Sequence, residues 1–309
     1  MTPLRSVLLS ATLLIGGCLV PLPEFADPCE PYTESGLFTY KYKSDETKAH
    51  KAYVWLPSND KGGPRKMVFV LHGGNSDGQT AANVTGYIDR AEAEGFVAVF
   101  PQGRGVRRHW QYAEGYGTGS HDDVLYLDAL ADELATATCT EGLIATGFSQ
   151  GGMMTHRWAC EGDNPPDAIV PASGTLNSAE NLCLNGDPIP VRHYHGTKDG
   201  VIPYDGGVSP KSTIREKEMR SVAETMDIWR ERNGCSKESV VEDVTDTVSC
   251  EAWSCTGAAT ELCTLDGWAH VWPGGQFAGK AGIDATRDGF EWALSTFEDD
   301  LVADEESGI

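Results

Sequence analysis

Gly142-Leu143-Ile144-Ala145-Thr146-Gly147-Phe148-Ser149-Gln150-Gly151-Gly152-Met153-Met154 is the stretch on which the reading of this chain turns. A short apolar run ends in Gly-x-Ser-x-Gly, and a segment of helical character follows through Met154, Trp158 and Ala159. Such a pattern delivers a serine from a strand into a sharp turn at the start of a helix, with glycines letting strand and helix approach closely. The Ser149 hydroxyl then stands clear of the backbone, and the helix N-terminus favours negative charge developing beside it. The pentapeptide alone is weak in a chain with 35 glycines among 309 residues, so its surroundings decide.

Working outward, Lys66–Leu71 is a compact apolar run of the kind buried on both faces of a sheet, and it empties into His72-Gly73-Gly74-Asn75. Phe96–Phe100 repeats that pattern and ends at Pro101-Gln102-Gly103, with a helix expected over 81–94 between the two. Leu37–Lys43 and His50–Leu56 read as an antiparallel hairpin ahead of them. Asp122 and Asp123 open a helix with Val124, Leu127, Leu130 and Leu134 on its apolar face. Beyond the serine, strands are expected at Ala168–Pro171, Val191–His195 and Thr260–Leu265. Helices are expected at Met219–Arg232 and from Phe290 to Leu301. Alternating strands and helices imply an α/β fold with one mostly parallel central sheet and helices on both faces.

Ester hydrolysis by serine needs a base for the hydroxyl proton, an acid to orient that base, and donors for the oxyanion. In this architecture those groups sit after strands in the order Ser, Asp or Glu, His. The chain supplies Asp199 in His195-Gly196-Thr197-Lys198-Asp199-Gly200, after one expected strand, and His270 in Gly267-Trp268-Ala269-His270-Val271-Trp272, after the last. Taken singly, each reads as a turn former or a packed ring; the three together, in order, do not. Asp266 lies too close to His270 along its loop to orient it. The oxyanion donors are expected at the Gln150 amide and at Gly74, with Asn75 next, and His72 braces that loop. Trp110 and Trp272, with Tyr116 and Trp268, are expected at the mouth of the site as substrate contacts. His193 and His195 share one strand face, but no further His or Cys nearby completes a metal site, so neither metal nor cofactor is expected.

Hydrophobic residues make up 40% of the chain, ample for a sizeable core, and the net charge of −22 repels nucleic acid and anionic headgroups. The start of the chain reads as a leader. Arg5 precedes a short apolar run from Val7 to Ile15, followed by Gly16-Gly17-Cys18, which resembles a bacterial lipobox with Cys18 lipidated. The expected organisation is a signal peptide over 1–17, a Pro-rich tether over 18–31, a catalytic domain over 32–301 and an acidic tail over 302–309. Membrane contact would come only through Cys18. Of the nine cysteines, the eight beyond Cys18 form an even set, as an exported protein pairs them. Expected neighbours give Cys160 with Cys183, Cys235 with Cys255, and Cys250 with Cys263, leaving Cys29 with Cys139. Zinc would want close Cys-x-x-Cys pairs, which are absent.

At these residues the sequence resembles the secreted polyhydroxybutyrate depolymerase/feruloyl esterase group of α/β-hydrolases. The matching pieces are Leu71-His72-Gly73-Gly74, Phe100-Pro101-Gln102-Gly103, the serine turn, His195-Gly196-Thr197-Lys198-Asp199 and His270-Val271-Trp272-Pro273-Gly274-Gly275. The resemblance implies Ser149, Asp199 and His270 as the triad, an ester substrate, and the pairs Cys160–Cys183 and Cys235–Cys255. It departs at Gln150, where the group often has Ala; Gly-Phe-Ser-Gln-Gly-Gly is similar to acyl-protein thioesterases, whose histidine loop lacks Trp-Pro-Gly-Gly. The expectation is an exported, lipid-anchored serine esterase acting on feruloyl-type esters of plant polysaccharide. Polyhydroxybutyrate or short-chain esters come second, since no polymer-binding module is apparent. The alternative of a different class is an inert hydrolase scaffold serving as a surface-binding protein.

Overall fold

The serine-bearing run is the middle of a ten-stranded sheet. The computed structural model describes residues 20–43, 49–104, 108–113, 122–177, 183–209, 218–277 and 282–306. The leader, Cys18 and Tyr116 lie outside the described residues. In chain order the elements are β1 (Gly36–Lys43), β2 (Ala49–Leu56), β3 (Arg65–Leu71), α1 (Gly78–Val84), α2 (Tyr87–Glu94), β4 (Val97–Pro101), α3 (Asp123–Thr138), β5 (Thr140–Phe148) and α4 (Gln150–Glu161). There follow β6 (Ala168–Ala172), β7 (Val191–Gly196), the short pair β8 (Gly207–Val208) and β9 (Glu218–Met219), and α5 (Val222–Arg232). The chain then makes β10 (Cys235–Thr245), β11 (Val248–Cys255), β12 (Thr260–Leu265) and α6 (Ala285–Glu306).

The strand order is β1-β2-β4-β3-β5-β6-β7-β12-β11-β10. The six strands from β4 to β12 run parallel, and an antiparallel hairpin flanks them at each edge. The period-two geometry of a strand explains why β3 is apolar throughout. Phe69 and Leu71 pack into the core layer shared with Leu127 of α3, Trp158 of α4 and Trp229 of α5. Val68 and Val70 face the other layer, with Tyr87 of α2 and Phe290 of α6. Each large apolar side chain so buried contributes about 1.5–3 kcal/mol relative to exposure.

Four departures from the sequence reading have physical causes. The helix expected over 81–94 is two helices. Gly86, at φ +83°, breaks it where a Cβ would lie 2.8 Å from the Gly275 Cα, and Asp77 caps the first piece through the Thr80 amide. The outermost strand, β10, carries no buried alternation that would mark it, since Val240 and Val241 are both exposed. The helix expected from Met219 starts at Val222, where Ser221 and Glu224 form a capping box.

The fourth departure is the tether. From Val20 onward it is docked on the domain, with Leu22 N–H on the Thr39 carbonyl and Thr39 N–H on the Val20 carbonyl. Buried Arg65 pairs with Asp60, donates to the Pro28 and Glu30 carbonyls, and stacks its guanidinium 4.0 Å from the Tyr32 ring centroid. Residues 20–31 therefore pack against the domain that follows. The cysteines are joined as Cys29–Cys139, Cys160–Cys183, Cys235–Cys255 and Cys250–Cys263. Cys235 faces Cys255 across β10 and β11, and Cys250 faces Cys263 across β11 and β12.

Candidate active site

β5 ends at Phe148 and α4 begins at Gln150, with one residue between them. Ser149 makes the whole turn at φ +58°, ψ −119°, a left-handed conformation that costs a non-glycine residue on the order of 1–3 kcal/mol. Its N–H is held on the Ala172 carbonyl at 3.0 Å. The flanking glycines are required by contact. A Cβ on Gly147 would lie 2.4 Å from Gly151 C, and one on Gly151 only 2.1 Å from the Leu71 carbonyl oxygen. Gln150, at the first helical position, has an N–H that no turn of the helix can use.

Asp199 and His270 arrive from other strand ends. Asp199 sits in the turn after β7, where its Oδ1 accepts the Val201 and Ile202 N–H groups at 2.8 Å each. His270 sits on the loop after β12, with its ring 4.6 Å from the Phe148 ring. His270 Nδ1–H donates to Asp199 Oδ2 at 2.6 Å, and Nε2 faces Ser149 Oγ at 2.9 Å. Three side chains separated by 121 and 71 residues thus meet in one line. Burial acts to raise the Asp199 pKa, but the His270 contact and the two backbone donors outweigh it and hold the carboxyl below its usual value. An imidazole so held can take a proton from the hydroxyl, and the buried carboxylate fixes it in the Nδ1–H tautomer.

Gly74, Asn75 and Gln150 border the same groove, about 470 Å³, as Ser149 and His270. Phe148, Val201, Ile202, Val271 and Trp272 supply its apolar walls. Trp272 is a wall residue whose Nε1–H is tied to the Thr85 carbonyl and Thr286 Oγ1. Trp110 is not at the mouth. It is fully buried, with Nε1–H donating to the His72 carbonyl, so its ring packs beneath the loop rather than against substrate. His72 braces that loop as expected: Nε2 accepts the Gly103 N–H and Nδ1–H donates to the Gly73 carbonyl. Burial depresses its pKa to about 4, so it is neutral. A larger hollow of about 970 Å³, with Trp253 in its wall, opens at the opposite ends of the strands and holds none of these groups.

Two features escaped the sequence reading. His109 Nδ1 lies 3.1 Å from Gln150 Oε1 and fixes the side chain that packs over Gly74. His193 and His195, weighed above as metal ligands, use their nitrogens on one another, on His156 and on a backbone carbonyl. Among the described residues no group of three or more His, Cys, Asp or Glu is arranged to hold a metal ion. Likewise, no helix among them is long and apolar enough to cross a membrane.

Comparison with known proteins agrees with this architecture. The family described as Phospholipase/Carboxylesterase matches residues 123–246. Feruloyl esterase C of Emericella nidulans is 31% identical over 223 residues, covering 68% of this chain and 76% of that protein. A protein of Aspergillus niger titled "Probable feruloyl esterase C" is 32% identical over 158 residues, 48% of this chain and 54% of that one. The chain thus spans about half the length of that relative. Acetyl xylan esterase from Aspergillus awamori superposes with a TM-score of 0.59 at 14% identity, over 76% of this chain and 94% of that one. Poly(3-hydroxybutyrate) depolymerase from Bordetella parapertussis gives a TM-score of 0.51 at 16% identity, over 77% and 86%. The chain belongs to the α/β-hydrolase family of feruloyl esterase C.

Proposed function

We propose that the chain is an exported serine esterase that hydrolyses feruloyl-type esters of plant polysaccharide. The observation that carries the chemistry is the His270 ring, within hydrogen-bond reach of a hydroxyl on one side and a buried carboxylate on the other. Ser149 Oγ attacks the acyl carbonyl while His270 Nε2 takes its proton. Asp199 holds the ring and stabilises the imidazolium. The Gln150 and Gly74 amides receive the oxyanion. His270 then returns the proton to the departing alcohol, and water, deprotonated by the same ring, releases the acid and restores Ser149. The step balances without metal or cofactor.

The substrate reading rests on the Emericella nidulans relative and on an apolar groove with aromatic walls at Phe148 and Trp272. Four disulfides and the leader-like start support export; lipid attachment at Cys18 belongs to the same proposal. The test has two arms. A fluorophosphonate probe should label Ser149 in the wild type and nothing in Ser149→Ala; labelling elsewhere would move the site. In a panel of methyl ferulate, methyl butyrate, acetylated xylan and a polyhydroxybutyrate suspension, kcat/KM should be greatest for methyl ferulate. A preference for the polyester or for butyrate would reassign the substrate while leaving the chemistry.

A further inference from the structure

A line of buried rings runs from the core to the back of Asp199. Trp229 Nε1 lies 2.9 Å from His156 Nδ1, and His156 Nε2 lies 3.3 Å from His193 Nδ1. His193 Nε2 lies 3.0 Å from His195 Nδ1, and His195 Nε2 lies 2.9 Å from the Ile202 carbonyl and 3.6 Å from Asp199 Oδ2. All four side chains are fully buried, and the histidine rings stack with centroids 5.4 and 5.3 Å apart.

Both ends of this line force one direction. Indole nitrogen can only donate, so His156 Nδ1 accepts and its proton resides on Nε2. A carbonyl can only accept, so His195 carries its proton on Nε2 and accepts at Nδ1. His193 between them must accept from one neighbour and donate to the other, and both constraints give it the same tautomer. Every ring is then neutral with the proton on Nε2, and every nitrogen is used. Burial lowers the pKa of all three, His156 to about 3. The groups facing the line are Asp199, His270 and the Tyr204 ring edge at the active-site end, the Gly174 carbonyl at His156, and the Arg232 guanidinium 5.0 Å from the Trp229 ring.

We propose that Trp229, His156, His193 and His195 form a one-way hydrogen-bond relay that positions the Asp199 turn, with His195 as the positioning residue for the triad acid. The Val201–Ile202 segment is the part it sets. Its two N–H groups hold Asp199 Oδ1, and its Ile202 carbonyl is held in turn by His195. Reversal of the relay would turn a His195 lone pair toward both the Ile202 carbonyl and Asp199 Oδ2, and repulsion would push the turn away from His270. His156 lies on α4 about two turns beyond Ser149, so the relay also ties the helix behind the nucleophile to the loop bearing the acid. This inference rests on the proposed triad.

The test begins with the wild-type protein. In ¹⁵N-histidine NMR, His156, His193 and His195 should all show the Nε2–H tautomer, unchanged between pH 8 and pH 6. An Nδ1–H form at any of the three would overturn the relay, whatever becomes of the variants. Trp229→Phe removes the donor that sets the direction. It should flip at least one tautomer and lower kcat about tenfold with KM within about twofold, read on whichever ester the wild type turns over. His195→Gln, which keeps a donor near the Ile202 carbonyl, should retain more kcat than His195→Leu. Folded variants with wild-type kcat and an unmoved His270 Nδ1–H resonance would also refute it. Loss of Ser149 labelling in the wild type would instead sink the triad reading, leaving the tautomer spectrum to judge the relay alone.

Discussion

Acidification from pH 7 to pH 5 should remove a large part of this protein's stability, because four histidines are buried as neutral rings. His72, His156, His193 and His195 all have their pKa values lowered by desolvation from 6.5, His72 to about 4 and His156 to about 3. The unfolded chain therefore takes up protons that the folded chain refuses, and stability falls as pH drops below 6.5. The loss continues until the folded-state values are reached. Over this interval His72 and His156 cost about 2 kcal/mol each, about 4 kcal/mol together, and His193 and His195 add in the same direction. Asp123 acts with the opposite sign. Its burial raises its pKa to about 6, so the folded state binds that proton first and about 1 kcal/mol returns. Asp128, also raised by burial, trims the loss further. His72, His156 and Asp123 alone leave a loss of about 3 kcal/mol, against the total of about 5–15 kcal/mol usual for a domain. Guanidinium unfolding at pH 7 and pH 5, with the disulfides intact, measures it directly. A midpoint that stays level or rises toward pH 5 would show that these rings are charged or hydrated in the folded state, and the reasoning would fail.

Three further outcomes follow from the same contacts. Asp199→Asn should lower kcat by about 10³–10⁴-fold with little change in KM, because an amide leaves His270 in the wrong tautomer; steady-state kinetics on methyl ferulate decides it. Gly151→Ala should abolish folding or leave a protein with no Ser149 labelling, since its Cβ would meet the Leu71 carbonyl oxygen at 2.1 Å; a soluble, active variant would show that α4 is free to retreat. Replacing Cys29 and Cys139 by serine opens a 110-residue separation and should cost about 5 kcal/mol. Opening the 13-residue separation of Cys250 and Cys263 should cost about 3 kcal/mol. The order of the two denaturation midpoints tests the loop-entropy argument.

Most of the site could be read from the chain because its demands are local. The Ser149 turn needs Gly147 and Gly151 for contact reasons that leave a five-residue signature, and strands buried on both faces announce themselves as unbroken apolar runs. The paired cysteines were legible from expected neighbours, and the bonds join those same partners. What escaped is held by distant partners. His156 meets His193 across 37 residues and Trp229 across 73, spacings that no window along the sequence covers. His193 and His195 were placed on one face of a strand, yet what completes them is another ring and a carbonyl rather than a ligand set. Trp110 misled because a loop tryptophan among polar residues looks exposed; its burial depends on the His72 carbonyl supplying an acceptor beneath the loop.

The disulfide between Cys29 and Cys139 also decides how a mechanical load would travel. A pull applied upstream of Val20 first peels the three hydrogen bonds to Thr39 and then reaches the sulphur of Cys29. From there tension passes straight into Cys139 at the end of α3, bypassing residues 30–138 and with them the His72–Asn75 loop. A chain tethered by its leading end under shear would thus carry the strain through a covalent shunt at the foot of the sheet, with the His72–Asn75 loop left slack.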